Sequence, residues 1–248
     1  MGHHYVPQFY LKGFEFENGI WTYEKNGKPP FCTQIKSIAN ETNLYSGNLE
    51  GWLNNEIEIP AQTGIRNIRK HIIPTVDEKR ALANYICIMW KRVPRHREYI
   101  NEIFPEVAAE IRSEIYSSID ELALKSSHLT PSIVEEKKAF VATIIKKDEN
   151  DLPAKYWHQN IESDRSVLVD ILLGMKWNYF YNEKHQFLTS DNPLFYFKQI
   201  GINHEWSELT FPISSFVALW INRSPMEMTH SFRRNQIVLR RLIDELHQ

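Results

Sequence analysis

A chain of 248 residues, 42% hydrophobic and 24% charged, has a globular composition and is long enough to bury a sizeable core. A formal net charge of −2 excludes a general attraction to nucleic acid, so any phosphate binding has to be local. Cys32 and Cys87 lack metal-ligand spacing and read as reduced thiols. The longest apolar stretch, 167–175, is interrupted by Asp170 and is too short to span a bilayer. No basic segment leads into an apolar run at the N-terminus, so the expectation is a cytoplasmic protein without membrane contact.

The first dozen residues include His3, His4, Tyr5, Pro7, Gln8, Phe9, Tyr10 and Leu11. N-termini are usually polar and frayed. One this aromatic needs a core, lines a site, or does both. Ile20, Thr22 and Glu24 then alternate with Trp21 and Tyr23, and Asn26-Gly27 suits a type I′ turn. Pro29-Pro30 limits the next strand to a sheet edge. Residues 1–47 therefore read as a β-rich layer.

From about Asn48 the period changes. Leu49, Leu53, Ile57, Ala61, Ile65 and Ile68 form one apolar line of a helix that Pro60 should kink. Glu56 and Glu58 lie at its borders. Thr75-x-x-Glu78 is a capping box. It opens a helix whose inner line is Leu82, Tyr85, Ile86, Met89 and Val93. Arg92 lies on that buried face and demands a carboxylate or an anionic ligand. Pro94 ends this helix, and a further helical pattern runs from Pro105. Its stripe is Val107, Ile111, Ile115 and Ile119. Thr130-Pro131 starts another helix, with Ile133, Phe140, Val141, Ile144 and Ile145 inward. Residues 146–151 read as a polar connection before Pro153, and a last helix of this region covers 165–173.

Aromatic and β-branched runs return at 176–181, 186–189, 194–198, 209–211 and 216–221 and read as strands. An amphipathic helix is expected at 234–246. The predicted fold class is α+β, one domain over 1–248. A helical middle at 48–175 lies between β-rich 1–47 and β-rich 176–222.

The chemistry-bearing residues fall at the two ends and on the central helices. His3 and His4 face opposite sides if extended, so one can serve as base or metal ligand and the other as orienter. Ser190, Asp191 and Asn192 come after a strand at a turn, where a scaffold presents polar side chains well. Arg92 suits phosphate or carboxylate, or a structural ion pair with Glu58 or Asp191. Lys91, Arg95 and Arg97 form a basic run that could track phosphates or merely complement helix dipoles. There is no phosphate-cradling Gly-rich loop, His-Glu-x-x-His, Cys-x-x-Cys or Gly-x-Ser-x-Gly, which argues against the common nucleotide, zinc and serine-hydrolase folds.

The start His3-His4-Tyr5-x-Pro7-x-Phe9-Tyr10-Leu11 and the late Thr189-Ser190-Asp191-Asn192-Pro193 resemble the bacterial domain-of-unknown-function family 4238. So do Arg92-x-Pro94-x-x-Arg97 and Phe211-Pro-Ile-Ser214. The resemblance implies an inward glutamate, placed on Glu58 with Glu56 as the alternative, and implies no reaction. The expected pocket joins His3, His4, Gln8, Glu58, Arg92, Ser190, Asp191 and Asn192. His4, Glu58 and Asp191 are the candidates to hold a divalent metal ion. A base, an acid and an arginine suit phosphoester cleavage. The expectation is thus a nuclease-like enzyme on RNA or DNA, in the role of a toxin or anti-phage defence effector. The alternatives are a binding module for a nucleotide or small anion, and a buried structural network.

Overall fold

The computed structural model describes residues 2–25, 29–126, 128–147, 151–183, 186–196 and 201–223. The turn expected at Asn26-Gly27 and the helix expected at 234–246 lie outside these residues. The architecture is mixed α+β: small N-terminal sheets, seven helices in the middle and a four-strand antiparallel sheet.

Strand β1 (Gly2–His4) pairs antiparallel with β4 (Asn40–Thr42), with His3 opposite Glu41. Between them, β2 (Ile20–Thr22) pairs with β3 (Phe31–Thr33). A short helix α1 (Gln8–Leu11) begins after Pro7 and buries Tyr10 and Leu11.

The apolar line from Leu49 to Ile68 is buried throughout, but the helix carrying it is not uniform. It consists of α2 (Gly47–Trp52), a π-helical segment Leu53–Glu58 and α3 (Ile59–Arg69). Each four-residue step in an α-helix overshoots a turn by about 40°. The wider π turns undo part of that drift and keep Leu49, Leu53, Ile57, Ala61 and Ile65 facing the core. Pro60 follows the π segment directly, so its missing N–H falls where the hydrogen-bond ladder changes step. The expected kink is therefore a π bulge.

Helix α4 (Val76–Arg92) has both arms of the Thr75/Glu78 capping box. The sequence boundaries of the next helix need correction. Helix α5 spans Pro94–Lys125, with Pro94 at its first turn and Pro105 inside it. Arg95, His96 and Arg97 thus belong to a helix start. Helix α6 (Pro131–Lys147) packs along the outer half of α5 through Tyr116 Oη, which donates to the Lys138 carbonyl, and a Lys138–Asp120 ion pair. Of the two expected stripes, Val107, Ile119, Ile133, Val141 and Ile145 are half-buried, whereas Ile111, Ile115, Phe140 and Ile144 are exposed, because among the described residues no third layer covers those faces of the pair.

The polar connection before Pro153 leads into a helix that periodicity missed, α7 (Leu152–Glu162), with proline in its first turn. It buries Trp157, whose indole N–H donates to the Lys91 carbonyl at 2.8 Å. Helix α8 (Ser166–Gly174) leads into the C-terminal sheet. That sheet contains β5 (Lys176–Tyr181), β6 (Phe195–Tyr196), β7 (Glu208–Ser214) and β8 (Val217–Asn222), in the order β5-β8-β7-β6. The run 186–189 is not a strand. It has no regular secondary structure and is anchored by the Phe187 amide donating to the Ser215 carbonyl.

The N-terminal segment meets the C-terminal sheet. Tyr10 is fully buried, stacks on Phe211 and donates its hydroxyl to the Pro212 carbonyl at 2.8 Å. The same oxygen hydrogen-bonds Thr189 Oγ1 at 2.8 Å. Arg69 gathers the carbonyls of Phe9, Tyr10 and Ile213. Gly13 permits this approach, since a Cβ there would come within 2.7 Å of the Ile213 oxygen. Tyr10→Phe leaves two half-buried groups, Thr189 Oγ1 and the Pro212 carbonyl, short of a partner and is expected to lower unfolding free energy by about 1 kcal/mol. Urea denaturation checks this, and an unchanged midpoint would show that the hydroxyl is not a fastener.

Candidate active site

Arg92 organises the region between β1, the π segment and α4. Its side chain is 1% exposed. Nη1 donates to Glu58 Oε1 at 2.7 Å, and Nη2 donates to the His4 carbonyl at 2.6 Å. The guanidinium also lies 5.6 Å from the centre of the Tyr45 ring, and Tyr45 Oη donates to the Arg92 carbonyl at 2.9 Å. Burial opposes the charge, but Tyr45 and the Glu58 carboxylate more than offset it and hold the guanidinium pKa above its ordinary value. Glu58 turns inward, whereas Glu56 is exposed.

The two histidines have different neighbours, as adjacent strand residues should. His3 Nδ1 accepts from the Tyr45 amide at 3.0 Å, and its ring stacks on Tyr45. His4 is half-buried. Burial lowers its pKa, against the opposing influence of a hydrogen bond to the Lys36 backbone and of Glu50. Its Nε2 is buried and has no protein partner among the described residues. A neutral imidazole held through its other nitrogen, with a bare Nε2, is a proton acceptor in waiting.

Four more buried polar atoms lack a protein partner among the described residues: Glu50 Oε2, Tyr85 Oη, Arg92 Nε and Asn192 Oδ1. Such atoms are rare, and each asks for a water, an ion or a ligand. Shared electrostatics link most of the set. His4 feels Glu50, Arg92 and Glu58. Tyr85 has its pKa raised well above the ordinary value, first by burial and then by Glu58, with Arg92 opposing.

The late motif approaches through tyrosines. Thr189 bonds Tyr10, and Asp191 helps to raise the pKa of Tyr5 after burial itself. Ser190 Oγ accepts from the Asn192 amide at 3.1 Å and closes the turn. Ser190 and Asp191 are exposed, while Asn192 is half-buried. The charges bearing on His4 are those of the central helices, so the loop meets the N-terminal motif at Tyr5 and Tyr10. Gln8 is exposed at the start of α1.

Each member of the basic run is engaged by other groups of the protein. Lys91 is buried and donates to the Asn160 carbonyl and Ser163 Oγ at the end of α7. Arg97 makes a two-pronged contact with Glu41 at 2.7 and 3.1 Å. Arg95 pairs with Glu98 and Glu102 on the α5 surface. Arg92 and Arg97 together therefore fasten the β1–β4 pair, one through a β1 carbonyl and the other through a β4 carboxylate. Among the described residues no group of three or more His, Cys, Asp or Glu is placed to hold a metal ion, and His4, Glu58 and Asp191 do not form one.

A family model described as a protein of unknown function (DUF4238) matches residues 2–242. The chain belongs to that family. Neither a curated protein nor a solved structure matches it. In this chain His4 meets Arg92, and Glu41, opposite His3, meets Arg97, so the N-terminal strand pair and the Arg92-x-Pro94-x-x-Arg97 element are in direct contact.

Sequence reasoning did not single out Tyr45 or Glu50, and it read Tyr85 as core alone. Tyr85 stands seven residues before Arg92, which places both on one helix face. Glu50 stands eight residues before Glu58, close to two turns. Those spacings were available signals.

Proposed function

We propose that this chain is a hydrolase of phosphoesters, with His4 as the general base. The observation that supports this reading is the set of unpartnered buried atoms around Arg92. They divide by chemistry. His4 Nε2 and Glu50 Oε2 accept hydrogen bonds and suit an attacking water. Arg92 Nε and Tyr85 Oη donate and suit a phosphoryl oxygen as charge grows on it. The basic run is engaged by protein groups, so a nucleotide or the end of an RNA or DNA strand fits better than a long duplex.

Tyr85→Phe separates this reading from a structural one. The hydroxyl has no protein partner among the described residues, so removing it should leave stability unchanged or raise it by about 1 kcal/mol. Loss of a donor to the transition state should lower turnover about 100-fold. Cleavage of short single-stranded RNA, single-stranded DNA and nucleoside phosphates is the assay, alongside thermal unfolding. A variant that is as active as wild type, or a wild type inert on every phosphoester, would sink the proposal.

A second reading has its own support. Arg92 is enclosed by Glu58, the His4 carbonyl and Tyr45, which is how a purely structural fastener is built. In that case Tyr85→Phe changes nothing but stability.

A further inference from the structure

An apolar cavity of about 180 Å³ lies on the other side of α4 from Arg92. Setting Tyr85 at zero and advancing 100° per residue puts Arg92 at about −20°. Ile86, Trp90 and Cys87, which line the cavity, fall at about 100°, 140° and 200° on the same scale. The helix therefore divides a polar chamber from an apolar one. Leu209 and Phe211 point to one face of β7. Leu209 lines the cavity, while Phe211 packs on Tyr10 and Tyr85. One strand thus backs both chambers.

The cavity is partly open to solvent, but its wall is almost wholly apolar, so it is poor for water because it offers too few polar partners. The titratable groups on its wall are the Cys87 thiol and the Tyr196 hydroxyl. Burial pushes the pKa of each up to about 12, so both are neutral at physiological pH. Desolvation dominates in both cases, and for Tyr196 the neighbouring Tyr99 adds to it. Trp90 and Tyr196 meet edge to face on this wall, with ring centres 5.2 Å apart at 82°.

We propose that this cavity is a binding site for a compact uncharged aromatic group, either a free ligand or the apolar part of a larger one. An apolar cavity of about 150 Å³ is enough to hold a benzene ring. The Trp90–Tyr196 pair offers a guest ring the edge and face contacts that aromatic groups prefer. Leu194 carries the inference towards the other chamber. It lines the cavity two residues after Asn192, whose side-chain oxygen is buried without a protein partner among the described residues. A guest against Leu194 therefore bears on the loop that holds Asn192. The inference stands apart from the phosphoester reading, since it needs no turnover.

The test is titration of the full chain with toluene, read by ligand-observed NMR and thermal unfolding, with benzoate as the charged counterpart. Saturable toluene binding and a raised unfolding midpoint are expected, with benzoate binding much more weakly. Leu168→Trp and Ile202→Trp each place bulk into the cavity from half-buried positions on its wall. Either should weaken toluene binding by about ten-fold or more by filling the space a ring needs. If one variant fails to fold, the other carries the comparison. Absence of saturable binding by wild type overturns the inference. So does benzoate binding as tightly as toluene, or wild-type affinity in a folded filled variant.

Discussion

Arg92→Met is expected to lower unfolding free energy by about 3 kcal/mol, near the low end for breaking a buried ion pair by removing one partner. The substitution takes a donor from Glu58 and another from the His4 carbonyl, and both acceptors lie beside the core. The Glu58 side chain retains 16% exposure, so water relieves part of the loss and the upper end of the range is not reached. Arg92→Lys should recover only part of it. An ammonium cannot serve Glu58 and the His4 carbonyl with the fixed fork of a guanidinium. A double-mutant cycle of Arg92→Met with Glu58→Gln, read by urea unfolding, measures the coupling directly. A destabilisation indistinguishable from zero for Arg92→Met would mean that the β1–β4 pair is held by its other contacts.

His4→Gln is expected to reduce phosphoester turnover by about 10²–10⁴-fold, the usual contribution of a positioned general base. A glutamine amide can still meet the Lys36 backbone but cannot take a proton. The wild-type pH profile carries an independent signature. Burial lowers the His4 pKa below 6.5, so the basic form persists as pH falls through 6.5 and activity declines only at lower pH. The same shift has a stability consequence. Below pH 6.5 the unfolded chain binds a proton at His4 more readily than the folded one. The contribution is therefore complete above 6.5 and is lost as pH falls through the lowered folded value. His4→Gln should flatten that part of the stability curve and remove the acid limb of the rate profile. A folded variant with wild-type turnover would dismiss His4 as the base.

The local elements were legible in the sequence because their signals are local. The Thr75/Glu78 capping box, the Thr130-Pro131 start, the alternation at 20–24 and the strand at 176–181 each depend on residues a few positions apart. The burial of Arg92 was legible too, from its place on an apolar line, and so was the need for a partner. Glu58 was one of the candidates for that partner, but its distance from Glu56 along the chain is too small for periodicity to separate the two. The π segment decides between them, since it resets the angle at which each residue meets the core.

Other features existed only once the chain was folded. Helix α7 was obscured because Pro153 can close one element or open another, and the choice rests on Trp157 finding the Lys91 carbonyl. Lys91 and Arg97 lost their outward appearance when Asn160, Ser163 and Glu41 arrived from distant segments. The α5–α6 stripes are as regular as any core stripe, but among the described residues no third layer covers Ile111, Ile115, Phe140 and Ile144. Sequence by itself determined the order and kind of most elements and marked out the N-terminal and late motifs. Tertiary structure decided which polar atoms are satisfied and which are left bare. Hydrogen-bond completion depends on positions in space from several elements at once, whereas periodicity records only which way each residue faces.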